Sequence, residues 1–252
     1  MIAKDQPTIF DKAKLTTVVS SKRDGNTKSA KDNSDLEEVT RTVRAIANAA
    51  ELTFDSIVGM RVGEPDQWDQ IVETTSKPDR ALISFEDRVV CDCMVTNVPG
   101  VTLLLPVADC NAVAVHDPVR QVLALVHLGW QSTAAELATK TVQYLQQHHQ
   151  SSAPNLRIYF SPAIKAESYV FETVSQTDDR EWRPFLQQTD GGVGVDLPGY
   201  NRQRFIEAGV LPERIEVCPV NTATSDEYYS HYRSVRTDEP EGRFALLACL
   251  KK

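Results

Sequence analysis

The sequence has no apolar run approaching the ~18 residues of a membrane-spanning helix, and its first residues, MIAKDQPTIFDKAKL, lack the continuous apolar core of a secretory signal. The chain is therefore expected to be cytoplasmic, with no membrane contact. Cysteine is scarce. The five present (91, 93, 110, 218 and 249) make an odd number and none stands in a CxxC pair, which excludes a disulfide framework and a four-ligand structural zinc site. No Lys/Arg cluster breaks the acidic background of 35 Asp and Glu against 27 Lys and Arg, a net charge of −8. A nucleic-acid partner is excluded on that balance. There is no Pro/Gly/Ser-rich linker either, so residues 1–252 read as one domain, and 41% hydrophobic residues suffice for a buried core. The glycine-bearing stretch GGVGVD at 191–196 lacks both G-x-G-x-x-G spacing and a preceding strand, so it is not a dinucleotide site.

The patterning that is present alternates between strand and helix periods, as in a mixed α/β layer structure. Ser34-Asp35-Leu36-Glu37 has capping-box spacing, and Leu36, Val39, Val43, Ile46 and Ala50 follow on one helical face to about residue 51. Strands are expected at 56–62, 81–84, 89–96, 101–107, 156–160, 214–217 and 244–250. A second helix is expected to start at Thr133, with Glu136 at capping-box spacing, and to run to 147; a third spans 200–208. The polar stretches 16–33, 172–194 and 222–242 read as loops bordering a site.

One segment carries chemistry: ADCNAVAVHDPVRQVLALVHLGWQST, residues 108–133. Two alternating apolar runs, 111–116 and 121–126, flank Asp117-Pro118-Val119-Arg120, which is the signature of a hairpin. With a symmetric loop, paired positions sum to about 237, and Cys110 stands opposite His127 at roughly 4.5–5.5 Å between Cα atoms. A thiol beside an imidazole can form a nucleophilic thiolate–imidazolium pair, or supply two ligands to zinc, which then needs a third protein ligand and a water. His231 is a candidate third ligand if the last loop folds over the hairpin. The helix after Gly129 and Trp130 offers free N–H groups near Gln131, Ser132 and Thr133 for an anion such as phosphate. Cys91 and Cys93 alternate with Asp92 on a strand and read as packing residues, and His116, His148 and His149 as solvated or helix-end groups.

The segment resembles the core signature of the laccase-domain family, known as multicopper polyphenol oxidases and as purine nucleoside phosphorylases, which reads T-A-D-C-x-P-V, strand, D-P turn, strand, A-x-H-A-G-W-R-G. Further likenesses follow in the same order: CDCMVTNVPGVTLLL, SPAI, VDLPGYNRQRFIEAGV and YYSHYRS, so that residues 55 to 250 are covered. The resemblance implies a mixed-sheet α/β sandwich of the laccase-domain, cysteine hydrolase-like type. It implies a site that binds zinc, with copper less expected, and handles a nucleoside and phosphate. It adds Asp92 and Arg233 as polar candidates. The chain departs from the family pattern at telling positions. Met60-Arg61-Val62-Gly63 stands where the family has Q-V-H-G, so the first metal-binding histidine is Val62; Gln131 and Ser132 replace R-G, and Ser230-His231-Tyr232-Arg233-Ser234 replaces S-H-R-R-D.

Three readings follow. Cys110 and His127 are the catalytic and metal-binding centre of a purine nucleoside phosphorylase-like enzyme, with Asp92, Gln131, Ser132, His231 and Arg233 binding substrate and phosphate. Alternatively, they form a metal-free Cys-His hydrolase. As a third reading, the chain is a divergent non-catalytic relative that binds a nucleotide or protein partner.

Overall fold

Hydrophobic residues alternate so that nearly every long strand is apolar on both faces, and the chain stacks two mixed sheets with helices outside them. The computed structural model describes residues 3–63 and 68–251. In chain order the elements are β1 Leu15–Val19, α1 Leu36–Ala49, β2 Ile57–Arg61, β3 Ile71–Glu73, β4 Val89–Val90, β5 Cys93–Thr96, β6 Thr102–Val107, β7 Asn111–Asp117, β8 Val122–Leu128, α2 Trp130–Ala134 and α3 Leu137–His149. There follow β9 Arg157–Phe160, β10 Val170–Phe171, β11 Leu186–Thr189, β12 Gly192–Val195, α4 Leu197–Glu207, β13 Ile215–Val217, α5 His231–Ser234 and β14 Phe244–Leu250. Among the described residues one sheet runs β1-β14-β6-β2-β4, a second β13-β9-β7-β8-β5-β3, and a small third β10-β12-β11.

The strand period of two assigns each residue to a layer. Leu103, Leu105, Phe244, Leu246 and Ala248 from the first sheet meet Ala112, Ala114, Leu123 and Leu125 from the second in one core between the sheets. Their alternates Leu104, Ala245 and Leu247 face outward under Val39, Val43 and Ile46 of α1. On the far side, Val113, Val115, Ala124 and Val126 pack beneath Leu137, Val142 and Leu145 of α3 and Phe205 of α4. The result is a helix–sheet–sheet–helix sandwich. Each fully buried Leu or Val side chain contributes about 1.5–3 kcal/mol of transfer free energy. No helix among the described residues is long and apolar enough to cross a membrane.

The expected strand over 89–96 splits in two, and the split matters for the site. β4 pairs with β2 in the first sheet and β5 with β8 in the second, so the chain changes sheets at Cys91 and Asp92. Cys91 and Cys93 accordingly enter different cores instead of sharing a face. A second crossing joins β6 to β7 through Ala108, Asp109 and Cys110, with Asp109 at φ 78°.

Other local expectations need correction. Residues 16–33 contain β1, and 172–194 contain β11 and β12, strands that their polar outer faces concealed. Residues 81–84 make a single bridge, Leu82 to Val58. Ser34 does not cap α1. Asp35 holds the N-cap position, and its carboxylate accepts the Ala30 N–H at 2.9 Å. The second helix is broken at Glu136, whose backbone is left-handed (φ 59°) and whose carboxylate accepts the Tyr200 hydroxyl; α2 precedes the break and α3 follows it. The third helix starts earlier than expected, because Asp196 accepts the Gly199 N–H at 2.9 Å.

Candidate functional site

The hairpin register places the two leading residues. β7 and β8 pair with Asn111 opposite Leu128, Ala112 opposite His127 and Asp117 opposite Val122. Paired numbers therefore sum to 239 instead of 237, because Asp117 completes a last rung before the loop. Its carboxylate accepts the N–H groups of Val119 (2.8 Å) and Arg120 (3.0 Å), while Gln121 closes the turn at φ 55°. Cys110 is thus diagonal to His127, two residues beyond Ala112. Positions 110 and 112 share parity, so both side chains still lie on the face toward the other sheet.

Gly129 brings the pair together. A Cβ at this position would lie 3.0 Å from His127 Cε1, 3.1 Å from Cys110 Sγ and 3.3 Å from His127 Nε2. The backbone thus touches both groups, and only a residue without a side chain permits that approach. Behind the ring, Asp92 is fully buried and one of its carboxylate oxygens lies 2.7 Å from His127 Nδ1; its other oxygen accepts the Gly63 N–H at 3.3 Å. The His127 N–H in turn bonds the Asp92 carbonyl at 2.7 Å. Carboxylate, imidazole and thiol therefore form a line in which each orients the next. Burial pulls the His127 pKa down. The coulombic interaction with Cys110, the bond to Asp92 and the bond to Cys110 outweigh it and raise the pKa to about 10.

Asp109 fixes Cys110 from the other side. Its carboxylate accepts the Thr222 hydroxyl at 2.6 Å and the Tyr232 N–H at 2.7 Å, which ties the segment leading into α5 to the crossing. Aspartate tolerates the left-handed backbone better than most residues. Aromatic rings form a wall. Trp130 lies 6.3 Å from Tyr169, 5.5 Å from Phe171 and 5.6 Å from Trp182. Burial, then the charges of Cys110 and Asp109, push the Tyr169 phenol up to about 12.

The remaining candidates are dispersed. Ser132 is buried and occupied: its hydroxyl accepts the Gly129 N–H at 3.0 Å and donates to the His127 carbonyl at 2.9 Å. Gln131 is exposed on α2, a helix of five residues. Arg233 donates from Nη1 to Thr222 and Ser225 carbonyls, from Nη2 to Tyr228, and from Nε and Nη2 to Glu239; its guanidinium holds a loop together instead of facing the site. His231 turns outward, 55% exposed, with Nδ1 3.3 Å from Glu241. Asp92 stands behind His127, bonded to the ring at Nδ1.

Two donors, Cys110 and His127, face one another, and among the described residues no three His, Cys, Asp or Glu side chains are grouped to hold a metal ion. Val62 cannot be a third. The residues described do not fit a zinc or copper centre. Of the histidines read as solvated or helix-end groups, only His116 departs from that reading: it is fully buried, and both its ring nitrogens lack a partner among the described residues, whereas His148 is exposed and stacks on Tyr144 at 4.2 Å, and His149, in the same last turn of α3, lies 3.4 Å from Glu73. Gly129, Asp109 and Tyr169 escaped the sequence reading. The positive φ at Asp109 and the close approach at Gly129 have no periodic signal, although both residues flank the motif.

Two curated relatives carry the name purine nucleoside phosphorylase: one from Xylella fastidiosa, 29% identical over 62% of this chain and 60% of its own length, and one from Bacteroides thetaiotaomicron, 26% identical over 56% and 55%. The chain thus spans little more than half the length of these relatives. The fold matches the crystal structure of a Bacillus licheniformis hypothetical protein, YfiH, at a TM-score of 0.80 and 23% identity, covering 94% of this chain and 93% of that one. YlmD from Geobacillus stearothermophilus superposes equally well, at 0.80 and 22% identity, over 94% and 92%. The family model described as multi-copper polyphenol oxidoreductase laccase matches residues 18–251, and the chain belongs to that family.

Proposed function

We propose that the chain cleaves purine nucleosides with phosphate at the Cys110–His127–Asp92 line. The observation that carries this reading is a histidine aimed by a buried carboxylate at Nδ1, with Cys110 and Gly129 at its other ring edge. In phosphorolysis a phosphate oxygen bonds to C1′ of the ribose as the C1′–N9 bond breaks, and the electron pair of that bond passes to the purine. A leaving purine needs a proton. His127 supplies it from Nε2, Asp92 steadies the resulting ring through Nδ1, and the remaining proton of the hydrogen phosphate returns to His127. The Trp130 and Tyr169 rings provide apolar faces of the kind on which a purine stacks. The curated relatives' names point to the same reaction.

The test is release of adenine or hypoxanthine from adenosine or inosine, with and without inorganic phosphate. Phosphate-dependent release that disappears in His127→Gln supports the reading, and release that ignores phosphate refutes it. A second reading rests on the same line, since a thiol, an imidazole and a carboxylate in that order also build a cysteine hydrolase. Its mark is an acyl adduct on Cys110, visible by mass spectrometry with amide or ester substrates.

A further inference from the structure

A cavity of about 300 Å³ flanks the candidate site, and Lys28, Lys31, Arg61, Arg88 and Arg243 all line it together with Val62. Five cations around one cavity are unexpected in a chain of net charge −8. Glu241 is the carboxylate in direct contact with this group among the described residues. It pairs with Lys28 and lies 3.0 Å from Arg243, and it also meets His231. Lys31 and Arg61 stand over the Phe85 ring, at 6.0 and 4.4 Å.

Arg88 gives the cavity its direction. It is 7% exposed, and it donates from Nε to the Ile83 carbonyl (2.9 Å) and from Nη2 to the Thr27 carbonyl (2.8 Å). Among the described residues Nη1 makes no hydrogen bond and no carboxylate touches the guanidinium; Asp35 acts on it only at a distance. The backbone of β2 makes room for this side chain, since a Cβ on Gly59 would lie 3.1 Å from Arg88 Cγ. A guanidinium stays charged when buried, and without a counter-ion that burial is costly. A bound anion offsets the cost.

We propose that this cavity binds the tetrahedral oxyanion of a phosphate group, with Nη1 of the largely buried Arg88 as a donor and Lys28, Lys31 and Arg243 supplying the surrounding charge. Two connections join the cavity to the chemistry. Val62 lines it and precedes Gly63, whose N–H holds Asp92; Glu241 joins it to His231, whose neighbour Tyr232 binds Asp109. A role for this anion in turnover rests on the phosphorolytic reading. Its binding does not.

The experiment is a calorimetric titration of the full chain with inorganic phosphate, adenosine 5′-monophosphate and adenosine. Saturable phosphate binding is expected, weakened by added salt and weakened about tenfold or more by Lys31→Glu and by Arg88→Gln. If Arg88→Gln does not fold, as judged by its melting curve, the double variant of exposed Lys28→Glu and Lys31→Glu carries the same expectation. Monophosphate binding at least about tenfold tighter than phosphate, with adenosine binding weakly, identifies the anion as a nucleotide's own phosphate; equal affinities identify free phosphate. No saturable binding of either, or binding unchanged in the variants, overturns the proposal. Binding that persists while no base is released from any nucleoside refutes phosphorolysis and leaves the anion site standing.

Discussion

The two histidines of the β7–β8 hairpin face the same inter-sheet core from opposite ends, and their chemistry is opposite. His116 is sealed beneath the N-terminal segment, edge-on to Phe10 at 6.2 Å, with no partner for either nitrogen. Burial is the first cause that depresses its pKa, to about 4. His127 is almost as buried but has Asp92 on one side and Cys110 on the other, and it is raised to about 10. Residue type, hairpin and face are shared, so the different partners account for the opposite directions of the two shifts.

The sharpest way to break this contrast is Asp92→Asn, which removes the charge that separates His127 from His116. Activity is expected to fall about 100-fold or more, and the imidazole titration of His127, followed by NMR, to move down toward neutrality. Val62→His acts on the metal chemistry of the same ring. Zinc measured by elemental analysis should be substoichiometric in the unmodified protein and rise in the variant, because a third donor would then stand beside Cys110 and His127. Full zinc in the unmodified protein, lost on Cys110→Ala, would show a third donor already in place.

Gly129→Ala tests the close approach. The added methyl group meets a ring held by Asp92 and the thiol itself, so a loss of about tenfold in kcat/KM with a cost of about 1–3 kcal/mol in stability is expected from activity and thermal melts. His116→Leu is the mildest change. It replaces two unpartnered nitrogens with apolar surface, so stability at neutral pH should stay level or rise by about 1 kcal/mol, with activity unchanged. The pH profile distinguishes the two histidines by sign. The folded pKa of His116 lies below the ordinary 6.5, so stability falls as pH drops from 6.5 through 4, by up to about 3 kcal/mol. That of His127 lies above, so its contribution is complete below 6.5 and is lost as pH rises through 10. His116→Leu should erase the acid shoulder of a denaturation series and leave the alkaline one.

The sandwich was readable because its long strands are apolar runs bounded by turn residues, and the hairpin because Asp117-Pro118 punctuates it. Register was two residues from the expected pairing, since whether Asp117 belongs to strand or loop depends on a side chain capping two N–H groups. The short strands β3, β11 and β12 were hidden by polar faces and the split at Asp92 by an unbroken run of strand-forming residues. Cys110 and His127 could be named from spacing. Asp92 could be named but not oriented, because its neighbour comes from a strand 35 residues on. The basic cavity could not be seen at all: positions 28, 31, 61, 88 and 243 form no cluster along the chain, and only folding turns a scattered minority of cations into a local excess.

Two of the places where the chain passes from one sheet to the other have a mechanical consequence. Asp92 hangs on one passage and Cys110 on the other, while His127 stands at the end of a strand that belongs wholly to one sheet. The Asp92–His127–Cys110 line is therefore a seam stitched between two slabs that otherwise touch mainly through apolar side chains. A sliding of one slab over the other by a fraction of an ångström lengthens the stitches before it disturbs any strand pairing. Conditions that loosen the inter-sheet core should then silence the site while far-UV circular dichroism still reports an intact fold, and core substitutions such as Leu105→Ala should act on turnover from a distance.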